Sequence, residues 1–273
     1  MEFEKARDFF KERNFVIKDN KLKAIMTAID CGYPVFITGP TSTGKSLFLT
    51  LLAEFYGGVY DYQSLNGSIT IHDLTQERVL GKNGQFEERD MVLAKWLRNS
   101  VKQISILHLD EINAAKPETL LALHPIMDIK GELNLPYTDE VLKVTKNAII
   151  VMSANEGDEY TGINGLNMAF QNRLVKVHFS YLSNGELTNM LVKKTGVEKT
   201  KVEQVVNCWE KYMSSKDIDK PVVGIRILER WLEMSKTIGL KTAGEFTFGT
   251  LICENEEELI SITEGDFFIS LTD

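Results

Sequence analysis

The fold of this chain is decided by residues 39–46, which read Gly39-Pro40-Thr41-Ser42-Thr43-Gly44-Lys45-Ser46. The stretch matches the pattern G-x-x-x-x-G-K-[ST], in which the backbone N–H groups of a short loop surround an anionic phosphate. An apolar run at residues 33–38 precedes the loop, and a helical pattern at residues 45–56 follows it. This setting argues against a chance match and predicts a phosphate-binding loop between a buried strand and a helix.

The residue types in the loop suit a nucleoside triphosphate. Gly39 and Gly44 permit backbone angles and a close approach that a side chain would prevent. Lys45 can reach the β- and γ-phosphates, and the hydroxyl of Ser46 can coordinate magnesium. We therefore expect ATP and Mg2+ as ligands, bound by all eight residues of the loop.

A second apolar run, ISILHL at residues 104–109, ends in the acidic pair Asp110 and Glu111. In a phosphate-loop protein an Asp at this place holds the magnesium ion, directly or through water. The adjacent Glu111 would orient or deprotonate the attacking water. The alternative is an inert, solvated acidic pair, and the presence of the phosphate loop favours the functional interpretation.

Strand and helix patterns alternate along the first two thirds of the chain. The pattern predicts strands at residues 33–38, 104–110, 148–154 and 175–180, helices at 1–30, 45–56, 91–99 and 116–128, and a hairpin at 131–146. Residues 57–90 contain several glycines and are expected to be loop-rich. The alternation indicates an α/β fold with a mainly parallel sheet. We expect a nucleotide-binding subdomain at 1–180, a small all-helical subdomain at 181–240, and a C-terminal tail of unknown role at 241–273.

The composition of the chain disfavours several classes of protein and of binding partner. Apolar residues make up 43% of the chain, which is enough for a globular core, and the net charge of −8 opposes loose binding to nucleic acid. The three cysteines, Cys31, Cys208 and Cys253, suggest neither a disulfide framework nor a zinc site. No stretch is apolar enough for a membrane span, so we expect a cytoplasmic protein that contacts no membrane.

Three further polar residues are candidates for the site. Asn155 follows the third apolar strand and could hold the attacking water or contact the γ-phosphate, although an Asn often only caps a turn. Arg173 could reach a neighbouring subunit's site and stabilise charge there, or form a surface ion pair. Arg226 opens a helix of the second subdomain, where it could touch the γ-phosphate or remain solvated. His108 lies within an apolar strand and is expected to be a core histidine with its hydrogen bonds satisfied.

Three stretches together carry a resemblance to a family: GPTSTGKS, ILHLDEINAAKPETLLALHPIMD and SANEGDEYTGINGLNMAFQNRL. They resemble the MoxR-type AAA+ ATPases, and within that group the CbbQ/NorQ/CobS and gas-vesicle GvpN branches. The resemblance covers about residues 21–231, and its most specific part includes Tyr160 and Gly162. The sequence departs from the family pattern at Ser42, Ala114 and Asn172, where Gly, Arg and Asp are usual.

The resemblance implies a P-loop NTPase core of αβα layers with a helical lid, and a hexameric ring with sites between subunits. It implies that Asn155 is sensor 1, Arg173 an arginine finger acting in trans, and Arg226 sensor 2. It places an inserted hairpin at residues 131–147, facing a pore or a client. It also implies a client protein or a partner with a von Willebrand factor A-type domain.

Three functional hypotheses follow. The first is an AAA+ ATPase that hydrolyses ATP to remodel or activate a client protein. The second is a nucleic-acid-directed NTPase of the McrB type, which would prefer GTP, and the negative charge of the chain speaks mildly against it. The third is a nucleotide-gated assembly module with little turnover, which tight nucleotide binding without hydrolysis would reveal.

Overall fold

The structure is a computed structural model that describes residues 2–82, 84–128, 131–155, 166–214 and 221–264, together with Phe268 and Leu271. The strands in these ranges are β1 (Val35–Gly39), β2 (Val59–Ser64), β3 (Gln76–Leu80), β4 (Phe86–Asp90), β5 (Ser105–Asp110), β6 (Glu132–Asn134), β7 (Val141–Lys143), β8 (Ala148–Asn155) and β9 (Val175–His178). The helices of the first two thirds are α1 (Glu2–Glu12), α2 (Asp19–Asp30), α3 (Lys45–Tyr56), α4 (Ile71–Thr75), α5 (Val92–Ser100), α6 (Pro117–Ala122), α7 (His124–Met127) and α8 (Met168–Gln171). The later helices are α9 (Asn184–Thr195), α10 (Lys199–Met213), α11 (Ile225–Ile238), α12 (Leu240–Gly244), α13 (Thr250–Ile252) and α14 (Glu256–Glu264), with a π-helical turn at Glu245–Gly249.

A parallel sheet with the strand order β2-β5-β8-β1-β9 forms the centre of the first part of the chain. Its three central strands, β5, β8 and β1, are mainly apolar and buried on both faces, because helices cover both. In β1, Val35 and Ile37 belong to an apolar cluster that includes residues of α2 and α3, whereas Phe36 belongs to a second cluster with residues of α5. This three-layer arrangement confirms the predicted α/β fold of a P-loop NTPase with a mainly parallel sheet, followed by a helical region.

The chain divides into two compact units. The first comprises Met1–Pro40 and Gly44–Phe179, and the second comprises Ser180–Asp273 together with the loop residues Thr41–Thr43. The first unit therefore contains the sheet and both ends of the phosphate loop. The boundaries predicted from the sequence at residues 180 and 240 stay predictions.

The core of the second unit joins α9, α10 and α11 to residues near the C-terminus. The indole N–H of Trp231 donates to the carbonyl of Leu240 at 2.8 Å, and the Trp231 ring lies 5.4 Å from that of Phe248. Phe268 and Leu271 are buried in the same cluster. Residues of the segment 241–273, which has no clear pattern in the sequence, thus form part of this core.

Several predicted elements differ from the observed ones. Residues 1–30 form two helices, since Asn14 takes a left-handed φ of 56° that ends α1. The predicted helix at 116–128 is split into α6 and α7, with Pro125 in the first turn of α7.

The prediction that residues 57–90 are loop-rich is wrong. This segment contains β2 and a hairpin of β3 and β4. β2 is an edge strand that is only half-buried, and the strands of the hairpin are rich in charged, largely exposed residues. Neither therefore shows the apolar run by which the other strands were identified.

The hairpin predicted at residues 131–146 is present as β6 and β7.

Among the described residues, no helix has both the length and the apolar character that a membrane span requires.

Candidate functional site

The loop at residues 39–46 connects β1 to α3, as the sequence predicts. Gly39 has a φ of 142°, and a Cβ atom there would lie 2.0 Å from the carbonyl oxygen of Phe179. Gly44 has a φ of 86°, in the left-handed region, directly before the first residue of α3. Ser42 is also left-handed, at 61°, which accounts for the usual glycine at this position in the resembling family. The backbone of the loop therefore has the conformation for which its glycines are suited.

Lys45 is buried although it carries a charge, with 7% of its surface exposed. Its Nζ donates to the carbonyl oxygens of Gly39 at 2.9 Å and Pro40 at 2.7 Å, and to Oδ1 of Asn155 at 2.8 Å. These acceptors compensate for the loss of water around the ammonium group. The bond to Asn155 brings together two residues that the sequence assigns to one site from positions 110 residues apart.

The strand register brings the ends of three strands to the same edge of the sheet. Gly39 at the end of β1 pairs with Asn155 at the end of β8, and Leu109 of β5 pairs with Met152 of β8. Asp110 follows Leu109, so its carboxylate lies at the carboxyl edge that also holds Lys45. In open α/β sheets, ligands bind outside this edge. The structure thus places the loop and the acidic pair on a common edge, as the sequence predicts.

The two acidic residues have different surroundings. Oδ1 of Asp110 accepts hydrogen bonds from the hydroxyl of Ser153 at 2.5 Å and from the backbone N–H of Glu111 at 2.9 Å. Glu111 is exposed, takes a left-handed φ of 54°, and accepts a bond from the hydroxyl of Ser64 at 3.1 Å through Oε2. A non-glycine residue with this φ is uncommon and tends to occur at functional sites. Asp110 is held by the sheet, whereas Glu111 projects from its edge.

Sequence reasoning missed three polar residues at this edge. Ser64 ends β2 opposite Asp110, Ser153 lies within β8, and Asn113 donates through Nδ2 to the backbone carbonyl of Asn155 at 3.0 Å. Ser64 was missed because β2 itself was not recognised. Ser153 was missed because a single serine in an apolar run is an ordinary feature, and only the strand register places it beside Asp110.

Ser46 and Asp110 carry the kinds of oxygen donor that a magnesium ion takes. Ser46 is exposed in the first turn of α3, and the second oxygen of Asp110, Oδ2, has the hydroxyl of Tyr62 at 3.4 Å. Hydroxyl and carboxylate oxygens are the hard donors that Mg2+ prefers, and the ion usually completes its shell with water and phosphate. No group of three or more His, Cys, Asp or Glu residues is arranged as a metal site in the described part of the chain. A magnesium ion here would therefore depend on phosphate oxygens for part of its coordination.

Arg173 lies away from this edge. Val175, the first residue of β9, pairs with Val35 at the amino end of β1, so Arg173 is at the opposite edge of the sheet from Gly39. Its guanidinium donates to the carboxylate of Asp128, with Nε 2.6 Å from Oδ1, and to the carbonyl of Ala169 at 2.5 Å. The hydrogen bond from Arg173, together with the charge of its guanidinium, lowers the pKa of Asp128. Arg173 is thus not part of the site that Lys45 and Asp110 form within the same chain.

The catalytic roles predicted for individual residues are not tested by this geometry. The roles of Asn155 as sensor 1 and of Arg173 as an arginine finger acting in trans stay predictions. Arg226 is exposed in the first turn of α11, in the second unit, and its role as sensor 2 also stays a prediction. Tyr160 and Gly162, which belong to the most specific part of the resemblance, lie outside the described residues.

The chain matches a family model and relatives from another organism. A family model described as an AAA domain of the dynein-related subfamily matches residues 34–174. An uncharacterized protein of Staphylococcus aureus strain RF122 is 32% identical over 195 residues, which cover 68% of this chain and 70% of the relative. A counterpart from strain NCTC 8325 is 31% identical with the same coverage.

The fold is also found among solved structures. The crystal structure of a suggested ATPase from Cytophaga hutchinsonii superposes with a TM-score of 0.53 at 17% sequence identity. The match covers 98% of this chain and 82% of the other. At this identity the likeness supports the fold, with no transfer of individual residue roles.

Proposed function

The chain belongs to the AAA domain family, in its dynein-related subfamily, and on that premise we propose that it binds ATP with Mg2+ and hydrolyses it. One observation carries the proposal: Lys45, Asn155 and the pair Asp110–Glu111 meet at one edge of a parallel sheet. Residues with these chemical roles rarely converge by chance at the place where such sheets bind ligands.

Each group of residues at this edge has a separate role in phosphoryl transfer. The backbone N–H groups of residues 39–46 and the N-terminus of α3 surround the phosphates, and Lys45 compensates their charge. Ser46 and Asp110 would hold the magnesium ion, which when bound neutralises charge on the β- and γ-phosphates. Glu111, exposed at the edge and oriented by Ser64, accepts a proton from the attacking water. Asn155 fixes the position of Lys45.

We further propose that the protein is of the MoxR type and acts as a hexameric ring. The position of Arg173 supports this, because at the opposite edge of the sheet it is suited to serve the site of a neighbouring subunit. Its ion pair with Asp128 fixes the direction of the guanidinium. In such a ring Arg226 would act as sensor 2 on the γ-phosphate.

The expected action on a client is supported by the two hairpins. Leu80 and Phe86, which pair at the end of the β3–β4 hairpin, are 68% and 66% exposed. Val141 of the second hairpin is also exposed. Exposed apolar residues at the ends of hairpins are suited to contact another protein. We propose that this partner is a client protein or a protein with a von Willebrand factor A-type domain, as the MoxR resemblance implies.

The test compares nucleotide binding and hydrolysis in the wild type and two variants. Lys45→Ala should weaken ATP binding at least about 100-fold, because the loop loses its cation. Glu111→Gln should bind ATP normally and hydrolyse it roughly 100- to 1,000-fold more slowly, since it removes a proton acceptor. The exposed residues Lys146 and Glu118 supply the matched controls Lys146→Ala and Glu118→Gln, which should behave like the wild type.

Other outcomes point to other functions. Wild-type turnover in Glu111→Gln would remove the role given to Glu111. Tight binding without hydrolysis by the wild type would favour a nucleotide-gated assembly module. A preference for GTP, or hydrolysis stimulated by DNA, would favour an NTPase of the McrB type.

A further inference from the structure

A line of side-chain hydrogen bonds crosses three neighbouring strands and ends at Asp110. The hydroxyl of Tyr60 in β2 lies 2.7 Å from Nδ1 of His108 in β5. Nε2 of His108 lies 2.6 Å from the hydroxyl oxygen of Ser153 in β8, and that hydroxyl lies 2.5 Å from Oδ1 of Asp110. His108 and Ser153 are completely buried.

The chemistry of the groups fixes the direction of each bond. An ionised carboxylate only accepts hydrogen bonds, so the Ser153 hydroxyl donates to Asp110. The oxygen of Ser153 therefore accepts from His108, which must carry its proton on Nε2. With that proton on Nε2, the Nδ1 atom of a neutral imidazole accepts the bond that Tyr60 donates.

These bonds decide which oxygen of Asp110 can meet a metal ion. Oδ1 accepts from both Ser153 and the backbone N–H of Glu111. In the described part of the chain, the hydrogen bond that Oδ2 accepts is longer, at 3.4 Å from the hydroxyl of Tyr62. The two bonds to Oδ1 set the rotation of the carboxylate, and the contact that they leave to Oδ2 is the weakest of the three.

We propose that Ser153 and His108 are positioning residues that orient the Asp110 carboxylate so that Oδ2 serves the magnesium ion. The inference rests on the proposed function, because it concerns the metal of the same site. His108 acts through Ser153, and Tyr60 holds the tautomer that His108 needs. Hydrogen bonds that orient a ligand in this way strengthen metal binding.

The burial of both groups supports this role. A hydroxyl and an imidazole in the interior are costly unless their hydrogen bonds are made. Strands β5 and β8 are otherwise almost wholly apolar here, so apolar side chains would suit the core as well. Ser105, at the other end of β5, offers the contrast: it is equally buried, but its hydroxyl has no hydrogen-bond partner among the residues that the structure describes.

The experiment measures how tightly each variant binds mant-ATP, a fluorescent ATP analogue, first with EDTA and then over a range of Mg2+ concentrations. In Ser153→Ala the Mg2+ concentration that gives half of the metal-dependent tightening should rise about 10-fold or more. The metal-free affinity should stay unchanged. Ser105→Ala is the matched control and should follow the wild type, and thermal unfolding of each variant reports on the fold.

Two variants of His108 distinguish the effect of its hydrogen bond on Mg2+ binding from the effect of the volume of its ring. The amide nitrogen of His108→Gln can reach the position of Nε2 and donate to Ser153, so its Mg2+ dependence should stay within about twofold of the wild type. The shorter His108→Asn cannot reach, and it should resemble Ser153→Ala. If both variants lose Mg2+ affinity equally, the role given to the Nε2 donor is overturned.

A metal-free measurement checks the tautomer directly. Nitrogen-15 NMR of the histidine side chains in EDTA should show the proton of His108 on Nε2, with the signal assigned by its loss in His108→Gln. A proton on Nδ1 would overturn the inference. Unchanged Mg2+ dependence in a folded Ser153→Ala would overturn it too, while leaving the proposed function intact. Failure of the wild type to bind mant-ATP at all would instead overturn the proposed function, and this inference with it.

Discussion

Two non-glycine residues in the candidate site, Ser42 and Glu111, hold the left-handed backbone conformation, with φ of 61° and 54°. Each such conformation costs about 1–2 kcal/mol, so the surrounding structure must impose it. Glu111 donates its N–H to Asp110 and accepts from Ser64, and these bonds help to fix its turn. Of the four non-glycine residues with a left-handed φ in the described part of the chain, two therefore lie where the proposed chemistry takes place.

Gly39 is the position in the loop where a side chain is least tolerated. A Cβ atom would lie 2.0 Å from the backbone carbonyl oxygen of Phe179, at a φ of 142°. We expect Gly39→Ala to lower the free energy of unfolding by about 2 kcal/mol or more and to abolish nucleotide binding. Chemical denaturation and a binding assay measure both effects. Gly67→Ala, at an exposed glycine with no atom near its Cβ, should be close to neutral, and equal effects in the two variants would contradict this explanation.

How far the site could be predicted residue by residue depends on the kind of signal. Lys45 and Asp110 were identified because each belongs to a local pattern, a loop or a strand end. Ser153 and Asn113 could not be, because their importance depends on which residue of another strand or turn lies beside them. Arg173 was identified, but its partner Asp128, 45 positions earlier, was not.

At the scale of elements, two hairpins are linked through α5. Arg98 of this helix forms ion pairs with Asp90 at the end of β4 and with Glu140 just before β7. The guanidinium of Arg78 in β3 also lies 4.8 Å from the ring centre of Tyr137, between β6 and β7. These contacts hold both exposed hairpins against α5 and against each other. Two segments that contact one client would need such a fixed arrangement.

We expect Arg98→Ala to loosen this arrangement. A single exposed ion pair contributes little, but Arg98 joins two carboxylates, one of them through two parallel bonds. The midpoint temperature of thermal unfolding should fall by about 2–4 °C. Hydrogen exchange of the backbone amides in Val141–Lys143 should become faster. Arg89→Ala, which removes one exposed pair with Glu77, should change neither quantity detectably. Unchanged exchange in Arg98→Ala would show that the hairpins are held by other contacts.

Elements were predicted well where burial and periodicity agreed, and poorly where they did not. The helix at Lys45–Tyr56 was predicted with its observed bounds, because its glycine start and stop, Gly44 and Gly57, are visible in the sequence. β2 and the β3–β4 hairpin were missed, since an edge strand and an exposed hairpin need no apolar run. Their stability comes from pairing with other strands, which local sequence does not report.

At the scale of the whole molecule, the chain builds two units that each have their own apolar core. The second core includes Phe248, whose ring packs against Trp231 and lies 5.3 Å from that of Tyr212. The C-terminal residues are therefore structural for this unit. We expect that a chain ending before Phe248 cannot form the complete apolar core of the second unit.

Substitution of Phe248 tests this directly. Phe248 is fully buried, so Phe248→Ala should lower the free energy of unfolding of the second unit by about 3–5 kcal/mol. The neighbouring Phe246 is 60% exposed, and Phe246→Ala should cost less than about 1 kcal/mol. Denaturant unfolding followed by circular dichroism measures both. Similar losses in the two variants would mean that burial at position 248 is not what stabilises this unit.

The sequence by itself determined the phosphate loop, the acidic pair after a second strand, and the α/β class, because each depends on residues that are neighbours in the chain or on a repeating pattern. Only the tertiary structure decided that Asn155 bonds to Lys45, that Ser153 and His108 hold Asp110, and that Arg173 lies at the far edge of the sheet. The physical reason is that these contacts depend on the order and register of the strands. Strand order and register follow from the packing of the whole chain, and no single segment carries them.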